Sequence, residues 1–129
     1  MTAYPLTSLI TLLTVLLMFV TSVIVGKARV KYEIMAPATS GHEIFDRAYR
    51  VQMNTLEQLV IFIPALWTFA TFVNGDVAAI LGAAFIVGRA MYFFGYVKAA
   101  EKRSAGFGLS TLATLALLIG GIIGAFGAM

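Results

Sequence analysis

Four long apolar segments dominate this sequence and limit what it can fold into. They are residues 5–26, 55–73, 77–97 and 104–128. Each is long enough to cross a hydrocarbon core of about 30 Å as an α-helix, which satisfies its own backbone hydrogen bonds in lipid. We therefore expect an all-α integral membrane protein, a single domain built as a bundle of four transmembrane helices. The polar segment 27–54 should form a cytoplasmic loop and the start of the second helix.

The composition supports a membrane protein and excludes several kinds of site. Hydrophobic residues make up 60% of the 129 residues and charged residues only 12%, about half the charged share of a soluble domain. With no cysteine and a single histidine, His42, the chain offers no disulfide and no plausible set of metal ligands, so we expect no metal. The net charge of +3 does not indicate nucleic-acid binding, because the basic residues flank apolar segments instead of forming a free patch.

The first apolar segment has two interpretations, a cleaved signal peptide or a retained helix. Signal peptides carry basic residues before their apolar run, whereas here Lys27, Arg29 and Lys31 follow it. We therefore expect a retained first helix.

The basic residues also predict the orientation of the bundle. Eight of the nine lie in the first and third connections, namely Lys27, Arg29, Lys31, Arg47, Arg50, Lys98, Lys102 and Arg103. The middle connection carries only Asp76. Because cytoplasmic connections are enriched in Lys and Arg, we expect both basic connections in the cytoplasm and both termini on the opposite side. The membrane would be a bacterial inner membrane or that of the endoplasmic reticulum.

Local signals mark the limits of the second helix. Ser40 and Glu43 match a capping box, so the helix should begin near Glu43 with Ser40 as its cap. We expect it to run as one rod to Val73, with a kink at Pro64, because proline cannot donate the helical hydrogen bond.

Two further signals concern the second half of the chain. The residue types at 74–76, Asn-Gly-Asp, predict a short turn before the third helix. Gly120 and Gly124, four residues apart, predict a close contact between the fourth helix and a neighbour.

Polar side chains form two stripes on the second and third helices. The stripe on the second helix, with spacings of three, four and three residues, is Arg47, Arg50, Asn54 and Glu57. The stripe on the third helix, with spacings of three and four, is Arg89, Tyr92 and Tyr96, and Arg103 follows about two turns later. Such spacings place each set on one helical face. Since most of these residues lie towards the same end, the stripes favour a polar cavity open to the cytoplasm.

The charged pair Glu57 and Arg89 leaves two interpretations open. The two side chains could pair with each other and simply hold two helices together. The cavity explains better why Arg50, Tyr92 and Arg103 gather at the same end. Arginines bind carboxylates bidentately and Glu57 could hold an ammonium group, so the expected ligand is a small, mostly anionic zwitterion with several carboxylates.

The sequence also resembles a known family of membrane proteins. Its most specific feature is the pattern Arg-x-x-x-Asn-x-x-Glu from Arg50 to Glu57, within the run FDRAYRVQMNTLE at residues 45–57. The runs APATSG at 36–41 and GRAMYFFGY at 88–96 add support. Over essentially the whole chain, these features resemble the MAPEG family, the membrane-associated proteins in eicosanoid and glutathione metabolism.

The resemblance implies a homotrimer that binds glutathione between neighbouring subunits near the cytoplasmic face. By matching positions, the implied glutathione-binding residues are Arg29, Arg50, Asn54, Glu57, Arg89, Tyr92 and Tyr96. Arg103 matches the arginine that the family places at the glutathione thiol, and Ser104 beside it could share that role. Glutathione carries two carboxylates and an ammonium group, in agreement with the ligand expected from the residues alone.

The activity implied is that of a membrane glutathione transferase, with glutathione as co-substrate. Its thiolate would attack a lipophilic electrophile from the bilayer, as in detoxification, or reduce a lipid hydroperoxide. Gln58 stands where several members have a tyrosine, and Val30 where some have a second basic residue, which weakens the case for a leukotriene-type substrate.

Two alternative functions remain. The first is a non-catalytic member of the same fold that binds lipid or glutathione or acts as a scaffold. The second is a small multidrug transporter, but such transporters carry an essential carboxylate in the first span, and residues 5–26 contain none.

Overall fold

The computed structural model describes residues 4–98 and 103–129, with the side chain of Val97 left out. Within these residues the chain forms four α-helices and no strand: α1 Pro5–Tyr32, α2 Glu43–Phe72, α3 Gly75–Lys98 and α4 Ser104–Gly127. Each of the four contains a stretch long and apolar enough to cross a membrane. The expectation of an all-α membrane protein is confirmed.

Helix α1 is longer than its apolar segment. It continues six residues past Gly26 to Tyr32, and it ends where Glu33 adopts a left-handed conformation with φ of 54°. The basic residues Lys27, Arg29 and Lys31 therefore lie on the last turns of a helix, and their placement in a loop was wrong. Lys and Arg are good helix formers whose long side chains reach water from a helix end, so nothing breaks the helix when the lipid-facing stretch ends.

The cap of α2 differs from the expected capping box. His42, not Ser40, is the N-cap, and its Nδ1 accepts a hydrogen bond of 3.1 Å from the backbone N–H of Ile44. The backbone N–H of Gly41 donates to Asp46 Oδ1 at 3.0 Å, so the carboxylate that reaches back comes from Asp46. The capping-box prediction was wrong, but the start at Glu43 is confirmed, as is the single helix that continues through Pro64.

The connection between α2 and α3 is shorter than the predicted three-residue turn, since only Val73 and Asn74 lie between the two helices. Asn74 caps α3, since its Oδ1 accepts from the backbone N–H groups of Asp76 and Val77 at 2.9 and 3.0 Å. The helix therefore starts at Gly75, two residues earlier than the apolar segment. Thr7 of α1 donates to the carbonyl oxygen of Gly75 at 3.1 Å, which ties this connection to the first helix.

The core lies where α2 packs against the other helices. Phe62 and Phe85 are fully buried and stack with ring centroids 3.9 Å apart, next to buried Leu66 and Leu117. Such ring pairs stabilise a packed core beyond the area that they bury.

Glycines set the distance between α4 and its neighbours. A Cβ atom added to Gly120 or Gly124 would lie 2.5 Å from the Phe69 ring or 2.7 Å from the Val73 side chain, which confirms the predicted close contact, here with the end of α2. A second contact is between backbones. A Cβ on Gly88 would lie 2.6 Å from the backbone nitrogen of Ser110, and one on Gly106 would overlap the backbone of α3. This second contact brings the start of α4 against the end of α3.

Candidate functional site

An open cavity of about 570 Å³ lies where α2, the end of α3 and the start of α4 meet. Its lining residues are Arg50, Asn54, Tyr92, Tyr96, Arg103, Ser104 and Phe107. Six of these seven are among the nine site residues expected from the sequence. Two of its three helices, α3 and α4, are brought together by the close contact between Gly88 and the α4 backbone.

Helix α2 supplies one guanidinium and one amide to the cavity. Arg50 and Asn54 are four residues apart, one turn of the helix, and so share a face. Asn54 is buried, with only 6% of its surface exposed, and its Oδ1 has no hydrogen-bond partner among the described residues. A buried amide oxygen without a partner is costly unless something donates to it, so this atom is available to a ligand N–H group or to water.

Glu57 is connected to the cavity only by its ion pair with Arg50. Its Oε1 lies 3.3 Å from Arg50 Nη1, and both side chains are about half exposed. Ion pairs of that exposure contribute about 1 kcal/mol or less, so a ligand can replace this one at little cost. Glu57 itself does not line the cavity.

Helix α3 supplies two phenols. Tyr92 and Tyr96 are one turn apart, with ring centroids 5.5 Å apart, and Tyr92 is almost completely buried. Tyr92 also contacts Phe107 of α4 at a centroid separation of 6.3 Å. The two rings therefore form a wall between the α2 residues and the start of α4.

Helix α4 begins at the cavity and brings a second guanidinium to it. Arg103 is the N-cap residue and Ser104 the first helical residue, and both are exposed. The guanidinium carbon of Arg103 lies 5.7 Å from the centroid of the Tyr96 ring. The positive end of the helix dipole adds to the charge of the two arginines, so the cavity favours an anionic ligand.

Arg29, expected at the site, lies elsewhere in this chain. Its Nη1 donates to the carbonyl oxygens of Ala38 and Ile34 at 2.7 and 3.4 Å, and its guanidinium carbon lies 4.9 Å from the Phe45 ring centroid. Within one subunit it therefore holds the connection between α1 and α2 against the start of α2.

Arg89 also lies outside the cavity lining, one turn deeper in the bundle than Tyr92. Only 1% of its surface is exposed. Its Nη2 donates to Thr55 Oγ1 at 2.8 Å, and its guanidinium carbon lies 4.3 Å from the Tyr92 ring centroid. The alternative of a Glu57–Arg89 pair is not what the described residues form, because Glu57 pairs with Arg50.

Phe107 is a lining residue that the sequence did not predict. It follows Arg103 by four residues, so the helical spacing would have placed both on one face of α4. An apolar ring in an apolar helix carries no chemical signal of its own, which is why it was not singled out. No group of three or more His, Cys, Asp and Glu side chains within residues 4–98 and 103–129 is arranged to hold a metal ion.

Comparison with known proteins gives a family match over most of the chain and several relatives. The MAPEG family model matches residues 7–123. An uncharacterised protein of Synechocystis sp. is 49% identical over 116 residues, which cover 90% of this chain and 85% of that protein. Microsomal glutathione S-transferase 2 of Homo sapiens is 47% identical over 103 residues, covering 80% of this chain and 68% of that protein.

A more distant relative extends the comparison. Leukotriene C4 synthase of Cavia porcellus is 35% identical over 96 residues, which cover 74% of this chain and 64% of that protein. The family match spans nearly the whole chain, from the first turn of α1 to the last turns of α4. The chain therefore belongs to the MAPEG family.

Proposed function

We propose that this chain is a membrane-bound glutathione transferase that activates the glutathione thiol as a thiolate. The observation that carries the proposal is that one cavity gathers two guanidiniums, an amide and two phenols at the start of α4. The names of its relatives, microsomal glutathione S-transferase 2 and leukotriene C4 synthase, support the same chemistry.

The cavity fits glutathione in size and in charge. A volume of about 570 Å³ is within the usual range of small-molecule sites. Arg50 and Arg103 would bind the two carboxylates or stabilise the thiolate, and Asn54 Oδ1 would accept from a peptide N–H group of the ligand. If a glutathione carboxylate takes Arg50, Glu57 is released to hold the ammonium group.

The proposed chemistry begins with ionisation of the thiol. A free thiol has a pKa of about 8.5, so only a few per cent is thiolate at neutral pH. Arg103 beside the sulfur favours the anion, and a decrease of about two units in the thiol pKa requires about 2.7 kcal/mol of preferential stabilisation. Ser104 can donate a hydrogen bond to the same sulfur.

The thiolate then forms a carbon–sulfur bond with an electrophilic carbon of a lipophilic substrate. Either the bond from carbon to a leaving group breaks and the leaving group takes the electron pair, or the carbon–oxygen bond of an epoxide breaks and the oxygen takes a proton. We extend the proposal to lipid hydroperoxides, where two glutathione molecules are oxidised to the disulfide as the hydroperoxide becomes an alcohol and water.

The proposal includes a homotrimer with its sites near the cytoplasmic face. Arg29 lies outside the cavity of its own chain, so a role at glutathione requires a cavity on a neighbouring subunit. The basic residues at the ends of α1 and α3 support a cytoplasmic position for this end of the bundle, with both termini opposite.

Ultraviolet absorbance of thiolate tests the proposal directly. Glutathione is added at neutral pH to the detergent-solubilised protein, with Arg103→Ala and, as a control cation outside the cavity, Lys27→Ala. We expect a thiolate signal in the parent and in Lys27→Ala, and its loss in Arg103→Ala. Glutathione that binds the parent without forming thiolate would instead support a non-catalytic binding protein, and no binding at all would contradict the proposed site.

A further inference from the structure

Arg89 is a buried cation that does not line the cavity. It is a charged side chain in the middle of a membrane-spanning helix, with 1% of its surface exposed. Two of its three guanidinium nitrogens, Nε and Nη1, are buried with no hydrogen-bond partner among the described residues. A buried charge that is so incompletely paired is costly, and in membrane proteins such groups have functional roles more often than structural ones.

Arg89 contacts one residue that lines the cavity and the sequence neighbour of another. Its Nη2 donates to Thr55 Oγ1 at 2.8 Å, and Thr55 follows Asn54, whose buried Oδ1 also lacks a partner. Its guanidinium carbon lies 4.3 Å from the Tyr92 ring centroid, within the range of cation–π attraction. Asn54 and Tyr92 both line the cavity, on different helices, and Arg89 lies behind both of them.

We propose that Arg89 is a positioning residue that acts on the bound ligand through Tyr92 and Asn54 and does not contact it. The attraction between the guanidinium and the face of the Tyr92 ring favours one ring orientation. The hydrogen bond to Thr55 sets the register of α2 against α3, and with it the position of Asn54. This inference rests on the proposed function only in that the ligand is glutathione.

The geometry distinguishes this role from the two simpler ones. A direct ligand contact would require Arg89 to line the cavity, and it does not. A purely structural ion pair would require a carboxylate beside it, and its hydrogen bond is to the neutral Thr55 hydroxyl. An apolar side chain would fill the same space at lower cost, which leaves the orientation of Tyr92 as the property that needs a cation.

A double-mutant cycle tests whether Arg89 acts through Tyr92. Glutathione affinity is measured by calorimetry in detergent for the parent, Arg89→Met, Tyr92→Leu and the double variant. We expect Arg89→Met to weaken binding roughly tenfold in the parent and by roughly threefold in the Tyr92→Leu background, because coupled residues are not additive and the effect through Asn54 remains. Equal losses in both backgrounds would show independent action and overturn the inference.

A second measurement needs no ligand. Fluorine NMR of 3-fluorotyrosine-labelled protein reports the Tyr92 ring, whose signal is assigned by its loss in Tyr92→Phe. We expect Arg89→Met to shift and broaden this signal and Arg89→Lys to restore it in part, while the signal of Tyr4 at the other end of the bundle stays unchanged. An unaltered Tyr92 signal would refute the positioning role.

Controls separate this role from general loss of packing. Thr14→Val removes a buried hydroxyl that donates within α1 to Thr11 O at 2.7 Å, and it should lower stability without moving the Tyr92 signal. If Arg89→Met does not fold, Thr55→Val removes the hydrogen bond alone and should still shift the signal. If the parent fails to bind glutathione, the proposed function fails, and the NMR comparison still decides the role of Arg89.

Discussion

The guanidinium of Arg103 lies against the ring of Tyr96, with its carbon 5.7 Å from the ring centroid. The first residue caps α4 and the second is in the last turns of α3, so the contact lies in the cavity wall at the junction of the two helices. Arg89 lies over Tyr92 at 4.3 Å, and Tyr92 contacts Tyr96, so the two rings are flanked by one guanidinium on the core side and one at the cavity.

Replacing Arg103 should change the pH dependence of glutathione conjugation. With the guanidinium present, the bound thiol has a lowered pKa, so the thiolate and the rate should rise with pH around about 6.5 and then level off. In Arg103→Ala the rise should move up towards the free-thiol value of about 8.5, with a roughly 25-fold lower rate at pH 7. The measurement is the pH profile of kcat/KM for the electrophile at saturating glutathione, which reports the thiol in the enzyme–glutathione complex. If the profile keeps its midpoint in the variant, Arg103 does not lower the pKa of the bound thiol.

Removing Arg50 should weaken glutathione binding. Arg50→Ala takes away the guanidinium that a ligand carboxylate would bind, and we expect a roughly tenfold increase in the KM for glutathione with little change in kcat. Arg47→Ala is the matched control, because Arg47 is one turn earlier on α2, pairs with Glu43 and does not line the cavity. A similar increase in both variants would indicate a general electrostatic effect.

The close approach of α3 and α4 predicts a contrast between two glycines. Gly106→Ala places a methyl group against the backbone of α3 at Tyr92, and should lower the free energy of unfolding by about 3 kcal/mol. Gly108→Ala meets nothing within 4 Å and should be neutral or stabilising by up to about 1 kcal/mol. Unfolding by SDS in mixed micelles measures both. Equal stabilities would contradict the packing of these helices.

Replacing Phe107 should weaken binding of the electrophile more than binding of glutathione. Its ring is partly exposed beside Arg103 and Ser104, where a lipophilic substrate would approach the sulfur. Phe107→Ala should therefore raise the KM for electrophiles with long alkyl chains severalfold, and by less for short ones, because less apolar surface is buried on binding. The KM for glutathione serves as the internal reference. An equal change for all substrates would mean that the ring only supports the fold.

Much of the site could be predicted because helical periodicity acts within one helix. Residues three and four apart share a face whatever the neighbouring helices do, so Arg50 with Asn54 and Tyr92 with Tyr96 were correctly grouped. The capping box at Ser40 failed because residue types alone do not decide which residue takes the cap position. His42 takes it, and its Nδ1 accepts the hydrogen bond from the backbone N–H of Ile44.

The sequence by itself determined the four apolar segments, the all-α membrane fold and the polar stripes, because lipid requires each crossing segment to satisfy its own backbone. Only the tertiary structure decided which stripe residues meet. Arg89 lies behind the cavity and Arg29 outside it, while Phe107 lines it. These positions depend on how closely helices approach at Gly88 and on their relative register. Both are properties of packing between helices, so the periodicity of a single helix does not predict them.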